Sequence, residues 1–555
     1  MKMNVKKTIG ILAATLLVSS CSLDEINKSA LTSDNYFTND AEFDELVSAS
    51  YESVRTILRD QQGPMWSGTD IYEGWSIALD NRSPVNDYTT MSGYEFEVWW
   101  GYHYSLIARI NQALTRGAVN GNLTSDFFAL RQSELLALRA YCYFNLVESF
   151  GGVPLPVVEY DGPNYDLSRS SEEQVYDQIV ADLTDALDSG KLPEHAEPGR
   201  VAQGFVNHLL AKVLLTRSYK TFAKQDDVTK AMTYAKKALE LHPLIEGNDA
   251  WNILFGADAN YNPFTQEVIF SVCYSPTDES YNSGGNNLYS HFKFNYDQFL
   301  GGGRTAPYWR CTNTFQPTTY FLNELYDETD VRGKEPFLQR TIFASTPAVI
   351  ETTGTAINVN DPIIYFPKTV WSDQQKADYM AEHPTVYLVV NPDEYHDVVY
   401  PGNSAYPMVW KFYDPGVTVY DDSGKRGTRD TYVFRSAETL LLLAEAYIKQ
   451  GNGGEATKLI NKLRTRAGAQ PLIGDATIDD VLDESARELF GEGNRWMELK
   501  RCGKLFERAL KYNALVKYQH PDGTIPDFYL LRPIPLSEIS VSQGTLKQNP
   551  SYPEE

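Results

Sequence analysis

The chain has 555 residues, with 73 Asp and Glu against 49 Lys and Arg, a formal net charge of −24 and 42% hydrophobic residues. So acidic a chain offers no broad cationic face to nucleic acid phosphates or to an anionic lipid surface, and its charge reads as a solvated surface that favours solubility. Aromatic residues make up 13% of it; much of that has to be core, but Tyr and Trp also present a flat apolar face with a polar handle.

The N-terminus reads as an address. Lys2, Lys6 and Lys7 precede an apolar run from Thr8 to Val18, about half of the roughly 20 residues that a membrane-spanning helix needs. A basic start, a short apolar middle and small residues make residues 1–20 a secretory signal. Val18-Ser19-Ser20-Cys21 resembles the lipobox of bacterial lipoproteins, in which the cysteine is lipidated and begins the mature chain. Cys21 is then the lipid anchor, residues 21–36 a polar tether, and the lipid the only membrane contact. The other cysteines, Cys142, Cys273, Cys311 and Cys502, have no metal-ligand spacing. An oxidising compartment would permit a Cys273–Cys311 bridge, but buried free thiols are the expectation.

Residues 37–246 read as helices. Phe43, Val47, Val54 and Leu58 recur at helical spacing, with Thr38 or Asp40 as cap. Phe96, Trp99, Trp100, Leu106, Ile107, Ile110 and Leu114 mark the next helix, where Trp99, Trp100 and Tyr104 read as core. Leu135, Leu138, Cys142 and Leu146 share a face of a third, which stops at Gly151-Gly152 ahead of Pro154. Ser170 and Glu173 form a capping box for a fourth. The segments 200–242 and 436–468 each read as a helical hairpin of tetratricopeptide type, with Ala211, Ala231, Ala235 and Ala238 in the first and Ala444, Ala446 and Ala456 in the second. Between them, residues 247–432 lose helical periodicity and gain Gly, Pro, Asn and aromatics. QEVIFSVCYS and PMVWKFYDP alternate as strands do, and TVYDDSGKRGTRDTYVF reads as a hairpin in which Asp421 and Asp422 are turn residues. Residues 433–555 return to helices.

Catalytic motifs are lacking. The eight histidines are scattered, without HExxH, and there is no GxSxG elbow or phosphate loop. GNGGEA (451–456) follows a helix rather than a strand, so it is a helix–helix turn and not a dinucleotide fingerprint. Nothing asks for an enzyme, a cofactor or a metal.

Several segments together resemble the SusD/RagB family of outer-membrane nutrient-binding lipoproteins. ELLALRAYCYFNLVESFGGVPLP (134–156) resembles the family's helix and GGVPL exit, and Trp100, Tyr104, Ile107 and Asn111 its Trp–Tyr–Ile–Asn helix. SARELFGEGNRWMELKRCGK (485–504) is similar to its GEG–RW signature, where Arg495 is suited to grip a carboxylate with its planar fork. YLLRPIPLSEISVSQGTLKQNPSYPEE (529–555) closes as members do. The resemblance implies a mainly α, SusD-like fold: tetratricopeptide-like hairpins as scaffold, and an irregular, β-containing insert that binds ligand. It implies a glycan ligand, a SusC-like TonB-dependent outer-membrane transporter as partner, no nucleic acid, and an outer-membrane location. Leu23-Asp24-Glu25 resembles the acidic export signals of such lipoproteins, which would turn the protein to the cell exterior. A peptide- or glycopeptide-binding RagB-like subunit and a surface glycoside hydrolase are the alternatives.

A pyranose ring needs an aromatic platform with Asn, Asp or Arg at its edge, on loops held by a rigid scaffold. Two clusters qualify. One is Trp66, Tyr72, Trp75, Asp80, Asn81 and Arg82; the other is Tyr296, Arg304, Tyr308, Trp309 and Asn313. Gly301–Gly303 would let the backbone swing or approach a ligand. Trp371 and Trp410 are reserves, with Trp410 expected in the core.

Overall fold

The computed structural model describes residues 39–553, apart from 61–62, 75–87, 90–93, 161, 257–265, 275–285, 310, 416 and 418–426. Cys21, its tether, Trp75, Asp80, Asn81, Arg82 and the Asp421-Asp422 turn lie outside the described residues.

The helical half forms as the spacing requires. Helix α1 (Asp40–Asp60) is capped by Asn39, whose Oδ1 accepts from Glu42 N at 3.1 Å, rather than by Thr38 or Asp40. Helices α2 (Tyr94–Val119) and α3 (Ser125–Phe150) pack on it and on each other. Of the last 18 residues of α3 all but Leu136 are buried, so it runs through the core rather than showing it one face. It stops at Gly151, in the left-handed region with φ 74°. Helix α4 (Glu172–Asp188) carries its capping box one residue later than expected, on Ser171 and Gln174. The cause is Ser170, whose N–H is committed to Val153 O at 3.0 Å and holds it in the preceding extended strip.

Both helical hairpins are present. Helices α5 (Gln203–Arg217) and α6 (Asp227–Leu241) pair, as do α7 (Ser436–Lys449) and α8 (Gly453–Arg466). Small Ala211, Ala231, Ala235 and Ala446 let the two hairpins close around Leu214, Leu215, Leu442 and Leu443. The insert between them carries short strands. Val268–Val272 pairs antiparallel with Thr431–Arg435, both buried but for Thr431. The second arm of the expected hairpin thus pairs with QEVIFSVCYS, burying two apolar strands against each other, and the turn of that hairpin lies outside the described residues. One continuous core runs from Phe43 to Leu546.

A fully buried ion network joins the halves. Arg435 reaches Glu267 (2.5 Å), Glu488 (2.8 Å) and Glu492 (2.9 Å); Arg466 reaches Glu267 and Glu488, both at 2.6 Å; Arg332 reaches Glu484 (2.7 Å) and Glu488 (3.0 Å). Burial works against the charge on Glu488, but three guanidinium groups hold its carboxyl well below the ordinary range. Asp70, just before the short strand Tyr72–Gly74 that pairs with Phe315–Pro317 of the insert, accepts from Arg495 (2.9 and 2.6 Å) and Arg508 (2.7 Å). Arg495 thus grips a carboxylate as expected. The C-terminal QNP is structural too: the Gln548 amide bonds both the N–H and C=O of Ile534, and Asn549 Nδ2 donates to Phe150 O.

Candidate ligand-binding site

The loop 296–313 is built on two stacked tyrosines. Tyr296 and Tyr308 lie 3.9 Å apart, ring on ring. Tyr296 OH donates to Phe343 O (2.6 Å), while Tyr308 OH accepts from Phe343 N (2.9 Å). Trp410 meets Tyr308 edge-on at 5.3 Å and carries the Lys293 ammonium 3.9 Å above its ring. Burial pushes the Tyr296 phenol up to about 12. These rings are the base of the loop and present no face to solvent, which corrects the expectation that both form the platform. Asn313 is buried as well, its Oδ1 accepting from Tyr406 OH at 2.6 Å. Trp410 is core, as expected.

Gly301–Gly303 are explained by the protein itself. A Cβ on Gly302 would sit 2.1 Å from Tyr296 O, and one on Gly303 would sit 2.6 Å from Thr346 Cγ2. Ser345 N and Thr346 N both donate to Gly301 O. The glycines admit the 344–346 segment rather than a swinging backbone.

Two candidates stay at the surface. The Tyr308 and Trp309 N–H groups both return to Thr305 O (3.1 and 2.8 Å), which closes a tight turn directly after Arg304. Trp309 has φ 49°, a backbone state that a bulky residue rarely adopts, and its side chain is half-buried. Arg304 is exposed and pairs with Asp297 at 2.8 Å. At the other end of the loop Tyr400, half-buried, stacks on Phe299 at 4.8 Å. Asp297 and Tyr400 were missed in the sequence; the signal available was an aromatic directly before the Pro401-Gly402-Asn403 turn.

The first cluster divides. Trp66 and Tyr72 are buried and stack at 5.4 Å. Trp66 Nε1 donates to Gly493 O (3.0 Å), and Tyr72 OH accepts from Gly491 N (2.5 Å). They dock the loop onto the GEG signature and offer no platform. Gly491, at φ 75°, has no room for a side chain, since its Cβ would lie 2.2 Å from the Phe412 ring. Trp371 is half-buried beside Tyr365 (5.4 Å) and Tyr379 (5.5 Å). All four described cysteines are free, so Cys273 and Cys311 do not pair. Among the described residues no group of His, Cys, Asp or Glu is arranged to hold a metal, and no helix is long and apolar enough to cross a membrane.

A model of the SusD family matches residues 266–552, and one described as "Starch-binding associating with outer membrane" matches residues 22–215. The chain is 22% identical to SusD-like protein P38 of Formosa agariphila over 536 residues, 93% of this chain and 94% of that one. It is 36% identical to the starch-binding protein SusD of Bacteroides thetaiotaomicron over 140 residues, 24% of each. Its fold matches the surface glycan-binding protein A of Bacteroides thetaiotaomicron, solved with laminarihexaose, at a TM-score of 0.65 and 19% identity, covering 92% of this chain and all of that one.

Proposed function

Because the chain belongs to the SusD family, we propose that it is a surface lipoprotein, anchored through Cys21, that captures an oligosaccharide and hands it to a TonB-dependent outer-membrane transporter. The observation that carries the reading is Trp309: a half-buried indole held in left-handed backbone directly after Tyr308 of the rigid tyrosine stack, in the loop that also carries the Arg304–Asp297 pair. The indole supplies the flat apolar face for a sugar's C–H surface, and the pair supplies edge groups for its hydroxyls. Tyr400 extends the rim. Capture without cleavage suits the described residues of this set, whose one carboxylate, Asp297, is paired with Arg304. The relatives named for starch and for laminarihexaose bind glycans, which supports the ligand class.

The test is calorimetric titration with laminarihexaose and with maltoheptaose, with product analysis of the same samples. Trp309→Ala is expected to weaken binding of the preferred sugar at least tenfold, about 1.4 kcal/mol, with unchanged thermal stability. Release of shorter sugars by the purified protein would overturn the binding-only reading.

A further inference from the structure

Trp371, Tyr365, Tyr379 and His383 form a second aromatic group, outside the 296–313 loop. Tyr365 and Tyr379 stack at 4.5 Å, and His383 stacks on Tyr379 at 4.2 Å. Trp371 closes the group, 5.4 Å from Tyr365 and 5.5 Å from Tyr379. All four are half-buried. The helix that carries Tyr379, Asp373–Glu382, buries none of its residues. A helix without a buried face gains little from packing. This one is held by the capping box of Ser372 and Gln375, by the Lys376–Glu394 pair at 2.6 Å and by the Tyr379 stack.

Trp371 directly precedes the cap. An apolar residue there ordinarily staples against the fourth helical residue, but that residue is Lys376. Asn391 fixes the turn instead: its Oδ1 accepts from Trp371 N and its Nδ2 donates to Trp371 O, both at 2.9 Å. The path of the chain is thus set by bonds to the Trp371 backbone and not by its ring. The polar ends of the group are also free. Trp66 and Trp99 spend their indole N–H on Gly493 O and Ser149 Oγ, and those of Trp251, Trp410 and Trp496 are sealed from solvent. The Trp371 N–H and the Tyr365 and Tyr379 hydroxyls are neither bonded by a described residue nor sealed. Flat apolar rings with free polar edges suit a sugar. Lys376, the only cation on the helix, is neutralised by both oxygens of Glu394 (2.7 and 2.6 Å), so the helix offers no free cation to a uronate or a sulfate.

The group sits on the sheet that carries the first site. Phe343, whose backbone holds Tyr296 and Tyr308, lies in the strand Thr341–Phe343, which pairs with Pro362–Tyr365. Ile363 faces the loop, since a Cβ on Gly301 would lie 3.6 Å from its Cδ1. Tyr365, two residues on, points to the same side of the strand, about 7 Å further along.

We propose that Trp371, backed by Tyr365 and Tyr379, is a second stacking platform for a neutral glycan, reached by the part of a polysaccharide chain that runs past the 296–313 loop. The proposal rests on the oligosaccharide reading for its ligand class but not for its site.

The test titrates laminarin and soluble starch, alongside laminarihexaose and maltoheptaose, against the purified parent and its Trp371→Ala, Trp371→Phe and Trp309→Ala variants. For whichever glucan binds, Trp371→Ala should weaken the polymer roughly fivefold or more, in the range of one aromatic contact, and should leave the short sugar almost unchanged. Trp371→Phe, which keeps an aromatic face, should restore most of the loss. In the parent, oxidation by N-bromosuccinimide, mapped by peptide mass, should slow at Trp371 when the polymer is bound, a readout that needs no variant to fold. Polymer binding indifferent to Trp371→Ala, a Phe variant no better than Ala, or equal oxidation of Trp371 with and without polymer overturns the proposal. Loss of binding in Trp309→Ala alone leaves the oligosaccharide reading standing and this one fallen. Loss in Trp371→Ala alone does the reverse, and a parent that binds none of the four sugars overturns both.

Discussion

Replacing Asp70 by Asn tests the ion cluster that anchors the loop leading to the proposed sugar site. Asp70 is fully buried and takes three charge-assisted bonds from Arg495 and Arg508. Asn preserves the shape but removes the charge and turns an amide N–H toward two cations. Breaking a buried pair by removing one partner costs about 3–5 kcal/mol. Here both arginines keep other anions, Arg495 through Glu498 at 2.8 Å and Arg508 through Asp483 at 2.5 Å and Asp479 at 3.0 Å. The lower end, about 3 kcal/mol, is therefore expected. An unfolding entropy of ~2.1 cal/mol/K per residue over about 515 residues amounts to ~1.1 kcal/mol/K, so Tm should fall by only about 3 °C if unfolding is cooperative. Urea titration resolves the change better. Burial opposes the charge on Asp70, but the two arginines outweigh it and hold its carboxyl below the ordinary value. A lowered folded-state pKa means that its contribution is present above the unfolded pKa and is lost as pH falls through the folded one. The gap between variant and parent should thus be full at pH 7 and shrink below about pH 4. A loss under ~0.5 kcal/mol at pH 7, the range of ordinary surface substitutions, would refute the claim that the cluster holds the loop.

Asp430 should behave in the opposite sense: burial raises its carboxyl to about 6, so it favours folding below the unfolded pKa and loses that advantage as pH rises through 6. Asp430→Asn keeps an acceptor for Tyr274 N, and urea titration should find it stabilising by of order 2 kcal/mol at pH 8 and neutral near pH 4. Tyr308→Ala should cost about 3–5 kcal/mol in the same assay, because it removes half of the buried stack, whereas Trp309→Ala should be nearly silent there and act on sugar binding alone. Gly491→Ala meets both a positive φ and the Phe412 ring, and its soluble yield should collapse relative to Gly503→Ala, which shares a positive φ but has open space. Dithiothreitol should leave Tm unchanged, since the four described cysteines are free thiols.

The ordering of these effects follows from which residues share a surface. Trp309 and Tyr308 are neighbours in sequence, yet one looks outward and the other is locked against Phe343. Trp66 and Tyr72 lie in a stretch with every mark of a binding loop, rich in Gly and aromatics, and the structure commits both to the backbone of Gly493 and Gly491. The GEG–RW segment that identifies the family is likewise taken up in holding this loop and the Glu267–Arg435–Glu488 network.

What the sequence determined by itself was local or periodic. The helices of residues 40–241 follow from apolar spacing, the stop of α3 from Gly151-Gly152, and the two hairpins from alanines that recur where helices must touch. These depend on residues a few positions apart, so one chain is enough to show them. The exposure of an aromatic ring is different. It depends on partners such as Phe343 for Tyr308, Tyr406 for Asn313 and Gly493 for Trp66, which lie tens to hundreds of residues away. A Trp or Tyr has the same flat face and polar edge whether it meets a sugar or a distant carbonyl. Only tertiary packing decides which faces remain free, and here it left Trp309, Arg304 and Tyr400 at the surface and took Trp66, Tyr72, Tyr296, Tyr308, Asn313 and Trp410 into the core.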